Sequence, residues 1–172
     1  EFSLDNASKI IAQIALEDIF QPKFTSIEVD DGEYILSEHL AKALKNIPLI
    51  IANVTLLTER ENLKLENVEL SGEEIISFSG IDMIVKRNCD FEFFEAVKSQ
   101  LKERGILVAI GDEGICHVDF EEVGKLKIKI NGENAATVHL LRLKKLEIEN
   151  YEVIEMSKNT ENWNFFVNTC EK

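Results

Sequence analysis

Three histidines and three cysteines are the side chains of this sequence best suited to acid–base or nucleophilic chemistry. They are His39, His117 and His139, with Cys89, Cys116 and Cys170. Cys116 and His117 are neighbours, but adjacent strand residues point to opposite faces, so they do not make a nucleophile–base pair. The sequence contains no C-x-x-C, G-x-S-x-G, H-E-x-x-H or phosphate-binding glycine loop. It therefore predicts no catalytic residue, no metal and no cofactor.

His117 is the one histidine that allows an enzymatic alternative. Asp112 and Glu113 precede it by a few residues, and carboxylates beside an imidazole could serve acid–base chemistry or bind a metal. The same residues also read simply as an acidic turn before a strand. A hydrolase is therefore a third class of function, behind two binding roles.

The charge balance of the chain is strongly acidic. There are 32 acidic and 19 basic residues, which gives a net charge of -13. Affinity for phosphate backbones and for anionic membranes is carried by lysine and arginine. The balance therefore predicts that nucleic acid is not a partner, and it opposes general adhesion to anionic membranes.

Basic residues are concentrated in one stretch. Lys125, Lys127 and Lys129 alternate with apolar residues and share one strand face. The Asn131–Gly132 pair predicts a hairpin that brings Arg142 near them. This patch predicts a site for a phosphate headgroup or an acidic partner; alternatively, it is a solvated strand face that balances the acidic body.

Apolar spacing predicts two main helices. The first covers Ser3–Phe20 with Ser3 as N-cap, and the second covers Asp90–Arg104 with Asp90 as N-cap and Gly105 at its end. A shorter helix is predicted from Ser37 to Leu44. The apolar stripe of the second main helix either lines a site for an acyl chain or packs as an ordinary core; its residues are Phe91, Phe93, Phe94, Val97 and Leu101.

Strands dominate the rest of the chain, so the predicted fold class is α+β. The longest apolar run, Ile47–Ala52, is far shorter than a membrane span, and no secretory signal is found. A cytoplasmic or membrane-peripheral location is therefore expected. The predicted strands are 24–29, 34–36, 49–57, 63–70, 75–78, 81–85, 106–110, 115–120, 126–130, 136–143 and 146–156.

Two pairs of segments in the chain are similar in sequence, which indicates an internal repeat. Ala52–Leu57 is similar to Ala136–Leu141, and Leu63–Leu70 is similar to Leu146–Val153. In the second pair the alternation slips at Glu66–Asn67 and at Glu149–Asn150, which predicts a β-bulge in each strand. One domain, 1–172, with two repeated halves, 3–87 and 88–156, and a tail, 157–172, is the expected organisation; chance similarity of acidic, leucine-rich strands is the alternative.

Two segments carry a family resemblance. Phe24–Ser37 has an alternating strand that leads to a polar turn and Ile-Leu-Ser, and Leu63–Ile75 contains Val68-Glu-Leu-Ser-Gly72 between leucine-rich strands. Both resemble the LmeA-like phospholipid-binding family, domain of unknown function 2993. The resemblance covers Phe24–Leu101. The chain departs from that family at Glu61–Asn62, where a glycine is usual, and at the helical Glu38–Leu44, where Pro-Gly is common.

The resemblance implies a tubular lipid-binding fold in which a curved antiparallel sheet wraps a helix. It implies a non-enzymatic lipid- or phospholipid-binding protein that buries acyl chains, with peripheral membrane contact. An acidic protein–protein interaction module, an adaptor or inhibitor with a protein partner, is the alternative. The lipid-binding residues under this hypothesis are Phe91, Phe94, Val97 and Leu101 for the chain, and Lys125, Lys127, Lys129 and Arg142 for the headgroup.

Overall fold

A computed structural model describes residues 1–17, 21–111, 117–130 and 134–144. Within these ranges the chain forms three α-helices, one short 3-10 helix and seven strands. The helices are α1 (Leu4–Leu16), α2 (Ser37–Lys45) and α3 (Phe91–Val97), and the 3-10 helix is Ile75–Ser77. The strands are β1 (Lys23–Val29), β2 (Ile51–Leu57), β3 (Glu69–Ser71), β4 (Ile81–Arg87), β5 (Leu101–Gly111), β6 (Phe120–Ile130) and β7 (Asn134–Leu143).

All seven strands belong to one mixed sheet, in the order β3-β2-β1-β4-β5-β7-β6. The first five strands are parallel, and β7 is antiparallel to both of its neighbours. The order reverses between β1 and β4, because β2 and β3 lie on one side of β1 and the later strands lie on the other. This reversal places a crevice at the carboxyl ends of β1 and β4.

Helical crossovers explain why the central strands are parallel. A chain that leaves one strand and returns through a helix enters the next strand in the same direction. Helix α2 connects β1 to β2 in this way, and α3 connects β4 to β5. The central strands are covered on both faces, so they are buried over consecutive positions; every residue from Ile81 to Val85 in β4 is buried, including the charged Asp82.

The sheet separates two apolar cores. On one face α1 and α2 pack on the sheet, and Ile11, Leu40 and Met83 are fully buried there. On the other face α3 contributes Phe94 and Val97, which pack with residues such as Ile84 and Leu107. Met83 and Ile84 fall in different cores because successive strand residues point to opposite faces.

The expected fold class is therefore wrong. The protein is not an antiparallel sheet curved around one helix; it has a mostly parallel sheet with helices on both faces. Residue alternation identifies a strand but carries no information on its direction, which the connecting helices determine. No helix among the described residues is long and apolar enough to span a membrane.

The second main helix is shorter than predicted. The caps at Ser3 and Asp90 are confirmed, since each side chain accepts a hydrogen bond from a backbone N–H of the first turn. Helix α3, however, ends at Val97, and β5 begins at Leu101. Gly105 lies inside β5, where a Cβ would stand 3.0 Å from the Ile81 carbonyl oxygen. The glycine therefore permits close approach of two strands and does not end a helix.

The segment that carries the family resemblance is also mostly not strand. Of predicted strand 63–70 only the last two residues fall within β3, and Ile75–Ser77 is a 3-10 helix. Asn67, the expected bulge, lies in a turn with φ of 61°. The Asn131–Gly132 hairpin, Glu149–Asn150 and strand 146–156 lie outside the described residues. The division into two repeated halves stays a prediction.

A buried carboxylate joins β1 to α2. Glu28 is 4% exposed, and it accepts hydrogen bonds from the backbone N–H groups of Leu36 (3.0 and 3.1 Å) and Ser37 (2.7 Å). These N–H groups have no acceptor within α2, and no side chain at the N-terminus of that helix caps them. Burial nevertheless raises the pKa of Glu28 to about 7, because an interior site disfavours the charged form.

Glu28 should make stability depend on pH in the direction opposite to that of an ordinary surface carboxylate. The native state holds this proton more tightly than the unfolded state, whose pKa is near 4.5. Stability should therefore be highest below that value and fall as pH rises to about 7, by roughly 3 kcal/mol. Glu28→Gln should lose this slope.

Urea unfolding of both proteins between these pH values gives the comparison. The readout is the difference in unfolding free energy between wild type and variant, so that titrations common to both cancel. A difference that stays constant with pH would show that Glu28 is charged throughout in the folded protein.

Candidate functional site

A cleft of about 510 Å³ opens where the order of strands reverses. Its walls come from the ends of β1 and β2, the segment after β3, the last part of β4 and the first turn of α3. This volume lies within the roughly 300–1,000 Å³ of small-molecule sites, and crevices at this place are the usual ligand sites of parallel sheets.

The cleft has an apolar floor and a mostly acidic rim. Carboxylates outnumber cations there, so the site favours cationic or hydroxyl-bearing ligands over phosphates. The lining comprises Val29, Leu57, Ile75 and Phe93, the acidic Asp30, Glu59, Glu73 and Glu74, the basic Arg60 and Lys86, and Gly32, Thr58 and Gly72.

Arg60 binds Asp30 through a two-pronged ion pair at the mouth of the cleft. The guanidinium donates from Nε to Oδ2 (2.7 Å) and from Nη2 to Oδ1 (2.6 Å), and Nη2 also donates to the Glu33 carbonyl (2.8 Å). The Asp30 side chain is 3% exposed, and Thr58 donates to it as well (2.6 Å). The Arg60 hydrogen bond is the main reason that the pKa of Asp30 lies far below its usual range.

Arg87, near the end of β4, makes a second clamp on the same loop. Its Nε donates to Asp31 Oδ2 (2.7 Å), and its Nη2 lies 3.2 Å from Glu33 Oε2. The guanidinium also lies 4.9 Å from the centre of the Tyr34 ring. We call these two arginines, with Asp30, Asp31 and Glu33, the arginine clamps, and residues 30–36 the β1–α2 loop.

Two other features of the cleft are open to a ligand: carboxylates without a partner among the described residues, and backbone that a ligand can approach. Within the described part of the chain, no ion pair or side-chain hydrogen bond engages the carboxylates of Glu59, Glu73 and Glu74. Gly32 and Gly72 have no heavy atom within 4 Å of the position a Cβ would take, so a ligand can approach the backbone there. Carboxylates on a rim of this kind can accept hydrogen bonds from a diol or pair with a cation.

Cys89, which follows β4, does not supply a nucleophile. Burial raises the pKa of its thiol to about 12, so the sulfur stays protonated, and its Sγ lies 3.7 Å from the Lys86 carbonyl oxygen. Reactive cysteines need the opposite environment, exposed and electropositive. Cys116 and Cys170 lie outside the described residues.

His117 belongs to a satisfied polar cluster away from the cleft lining. Its Nε2 lies 2.7 Å from Glu95 Oε2, and its Nδ1 accepts the Asp119 backbone N–H (3.0 Å). Lys98 bridges the Glu95 and Asp119 carboxylates at 3.1 and 2.8 Å. His117, Glu95 and Asp119 could in principle ligate a metal, but an ion would have to displace the Lys98 ammonium. Asp112 and Glu113, the expected partners, lie outside the described residues.

The predicted acyl-chain residues divide between core and surface. Phe94, Val97 and Leu101 are buried in the core under α3, so they attach this helix to the sheet. Phe91 is 66% exposed and stacks on His117 with ring centroids 5.2 Å apart. These four residues do not line the cleft.

The predicted headgroup patch is split by the sheet. Lys125, Lys127 and Lys129 are exposed on one face of β6, as the alternation predicted. Lys125 lies opposite His139 of β7. Arg142 lies opposite Ile106, which belongs to the core under α1 and α2, and it donates a hydrogen bond to the Ile14 carbonyl of α1 (3.4 Å). Arg142 therefore lies on the opposite face from the lysines.

Several solved structures of similar fold are named as methyltransferases, and one is a probable spermidine synthase. TrmN from Thermus thermophilus superposes with a TM-score of 0.52 at 14% identity over 79% of this chain and 49% of that one. The Bacillus subtilis tRNA methyltransferase TrmK (TM-score 0.48, 12% identity, 77% and 65% covered) and the 23S rRNA methyltransferase ErmE (0.44, 17%, 85% and 74%) are more distant. No protein-family model and no curated protein matches the chain. The chain spans about half the length of TrmN.

This likeness concerns the fold, and it corrects several expectations. The resemblance to the LmeA-like family is wrong, because the described fold is a mostly parallel sheet with helices on both faces and is similar to that of TrmN. The predicted lipid-binding function and the predicted non-enzymatic role are wrong for the same reason. The predicted lipid ligand is wrong for the same reason, and the exclusion of nucleic acid is wrong too. A net charge does not decide what one face of a protein binds.

The residues that matter most at the cleft were missed from the sequence. Glu59 and Arg60 lie in 58–62, which reads as a polar connection, and Asp30–Gly32 reads as a plain turn. The available signal was the position of acidic residues directly after apolar strands. That signal gains meaning only once those strands are known to be parallel, since their ends then meet at one edge.

The Arg87 clamp should stabilise the fold through geometry as well as charge. Arg87→Lys keeps the charge but loses the forked contacts and the contact with Tyr34, so it should lower the unfolding free energy by about 1 kcal/mol. Lys23→Arg, the reverse exchange at an exposed position of β1, is the matched control and should change it little. Equal stability of both variants in urea titrations would contradict the clamp.

Proposed function

We propose that this chain binds the nucleoside part of an S-adenosylmethionine-type cofactor in the cleft and serves methyl transfer. The observation that carries the proposal is Glu59, an unengaged carboxylate directly beyond β2, on the rim of a cleft at the reversal of strand order. In nucleotide-binding sheets an acidic residue in this place binds the ribose hydroxyls. The fold likeness to TrmN supports the same reading.

The nucleoside half of such a cofactor fits the residues present. Glu59 offers acceptors for the ribose diol, and the open backbone at Gly72 admits a flat ring beside Ile75. Leu57 and Phe93 supply apolar surface that excludes water from that ring. The acidic rim also suits a ligand that carries a sulfonium cation, because opposite charges attract strongly at a partly desolvated site.

The amino-acid half of the cofactor does not fit in the described arrangement. The turn after β1 reads Asp30-Asp31-Gly32-Glu33-Tyr34 and has one glycine, where dinucleotide folds use G-x-G-x-x-G for close backbone approach. Asp30 and Asp31 are already bound by the arginine clamps. The fit therefore covers the nucleoside alone.

The loop after β4 is the place where an acceptor substrate would meet the cleft. Lys86 and Phe93 line the cleft, and Asn88 and the exposed Phe91 lie between them in sequence. Asn88 has φ of 51°, a left-handed conformation that asparagine tolerates and that often marks a functional turn. When bound, the cofactor supplies an electrophilic methyl group. The role of these residues is to orient the acceptor and to limit access of water.

Glu59 should be required for nucleoside binding. Titration calorimetry with 5′-methylthioadenosine, which has the nucleoside and the sulfur but no amino-acid tail, should show binding to wild type. Glu59→Gln should bind about tenfold more weakly, because loss of one charged acceptor pair is worth roughly 1.4 kcal/mol.

The matched control is Glu61→Gln, a neighbouring exposed carboxylate that does not line the cleft, and it should bind as wild type does. Absence of binding to the folded wild type would overturn the proposed function. An equal loss in both variants would show that the general acidity of this loop, and not a ribose contact, is responsible.

A further inference from the structure

The β1–α2 loop is tied down at three points. Arg60, from the segment after β2, holds Asp30, and Arg87, from β4, holds Asp31 and Glu33. Glu28, below the loop, holds the backbone N–H groups of Leu36 and Ser37 where the loop ends. A loop that is bound from β1, from β4 and from beyond β2 cannot shift without breaking charged contacts.

This loop forms the wall of the cleft that a cofactor tail would meet. Asp30 and Gly32 of the loop line the cleft together with Glu59. If the ribose is held beyond β2, its 5′ substituent extends toward the first turn after β1, as it does in nucleotide-binding sheets. For S-adenosylmethionine that substituent carries an ammonium and a carboxylate.

The ammonium and the carboxylate of such a tail both meet side chains that are already paired with each other. The carboxylates that could pair with the ammonium, Asp30 and Asp31, are each bound to a guanidinium at 2.6–2.7 Å. The guanidiniums that could pair with the tail carboxylate are engaged by the same aspartates. A tail could bind only after exchanging partners with at least one clamp.

We infer that the arginine clamps set the ligand preference of the cleft by closing the half-site for the amino-acid tail. In the clamped state the cleft takes a nucleoside without that tail, and the complete cofactor binds when the Arg60–Asp30 pair opens. This inference rests on the proposed function. The Arg60 pair is the one that opens and the Arg87 pair stays formed, because the Arg60 side chain is 36% exposed whereas that of Arg87 is 16% exposed.

The test compares two ligands that share the nucleoside. S-adenosylhomocysteine has the amino-acid tail, and 5′-methylthioadenosine lacks it. Calorimetry on wild type should give no tighter binding for the first than for the second. Arg60→Gln should tighten binding of S-adenosylhomocysteine by about tenfold and leave 5′-methylthioadenosine unchanged. Lys23→Gln, which removes the same charge from the exposed start of β1, should change neither affinity.

The outcomes separate the inference from the proposed function. If S-adenosylhomocysteine already binds wild type much more tightly than 5′-methylthioadenosine, or if Arg60→Gln tightens both ligands alike, the clamp inference is overturned and nucleoside binding stands. If neither ligand binds any of the folded proteins, the proposed function fails, and the inference fails with it.

Hydrogen exchange gives a readout that does not need a ligand. Amides of residues 31–35 should exchange faster in Arg60→Gln than in wild type or Lys23→Gln, while amides of β4 and β5 keep their protection. Equal exchange in all three proteins would show that Arg60 does not hold the loop, and this too would overturn the inference.

Discussion

The buried carboxylate of Glu28 is the contact on which the arrangement of the first crossover depends. It sits on the central strand β1 and binds the first N–H groups of α2, so it fixes where the helix starts relative to the sheet. With α2 placed in this way, β2 returns parallel to β1, and their carboxyl ends meet at the same edge. The cleft is a consequence of that alignment.

Parts of this fold could be predicted from sequence, and the reason is local chemistry. Ser3 and Asp90 cap helices as expected, because an N-cap needs only its own first turn. The strands from Phe24 to Val29 and from Ile81 to Val85 were also found, since β-branched and apolar runs predict strands whatever their partners. The register and direction of these strands depend on distant segments, which local patterns do not record.

The failures have equally specific causes. The helix expected to reach Arg104 was extended by apolar residues that instead begin β5, and Gly105 supplied a false stop signal, since it permits close strand contact. The family resemblance rested on Leu63–Ile75, a segment that reads as alternating strand but contains a turn, a three-residue edge strand and a 3-10 helix. Alternating apolar residues in a short edge segment can serve side-chain burial without forming a strand of that length.

Two electrostatic effects act on ligand binding at the cleft: Glu59 attracts a nucleoside, and the arginine clamps oppose binding of an amino-acid tail. Their magnitudes decide which ligand the cleft prefers. Breaking the bidentate Arg60–Asp30 pair alone, with the Arg87 clamp kept, opposes opening of the loop by about 1.4 kcal/mol, or about tenfold in population. A ligand that needs the open loop binds with an affinity reduced by that factor. A ligand that contacts only Glu59 and the apolar floor is not subject to it. Weak surface interactions are therefore enough to change ligand preference when they act on the same short loop.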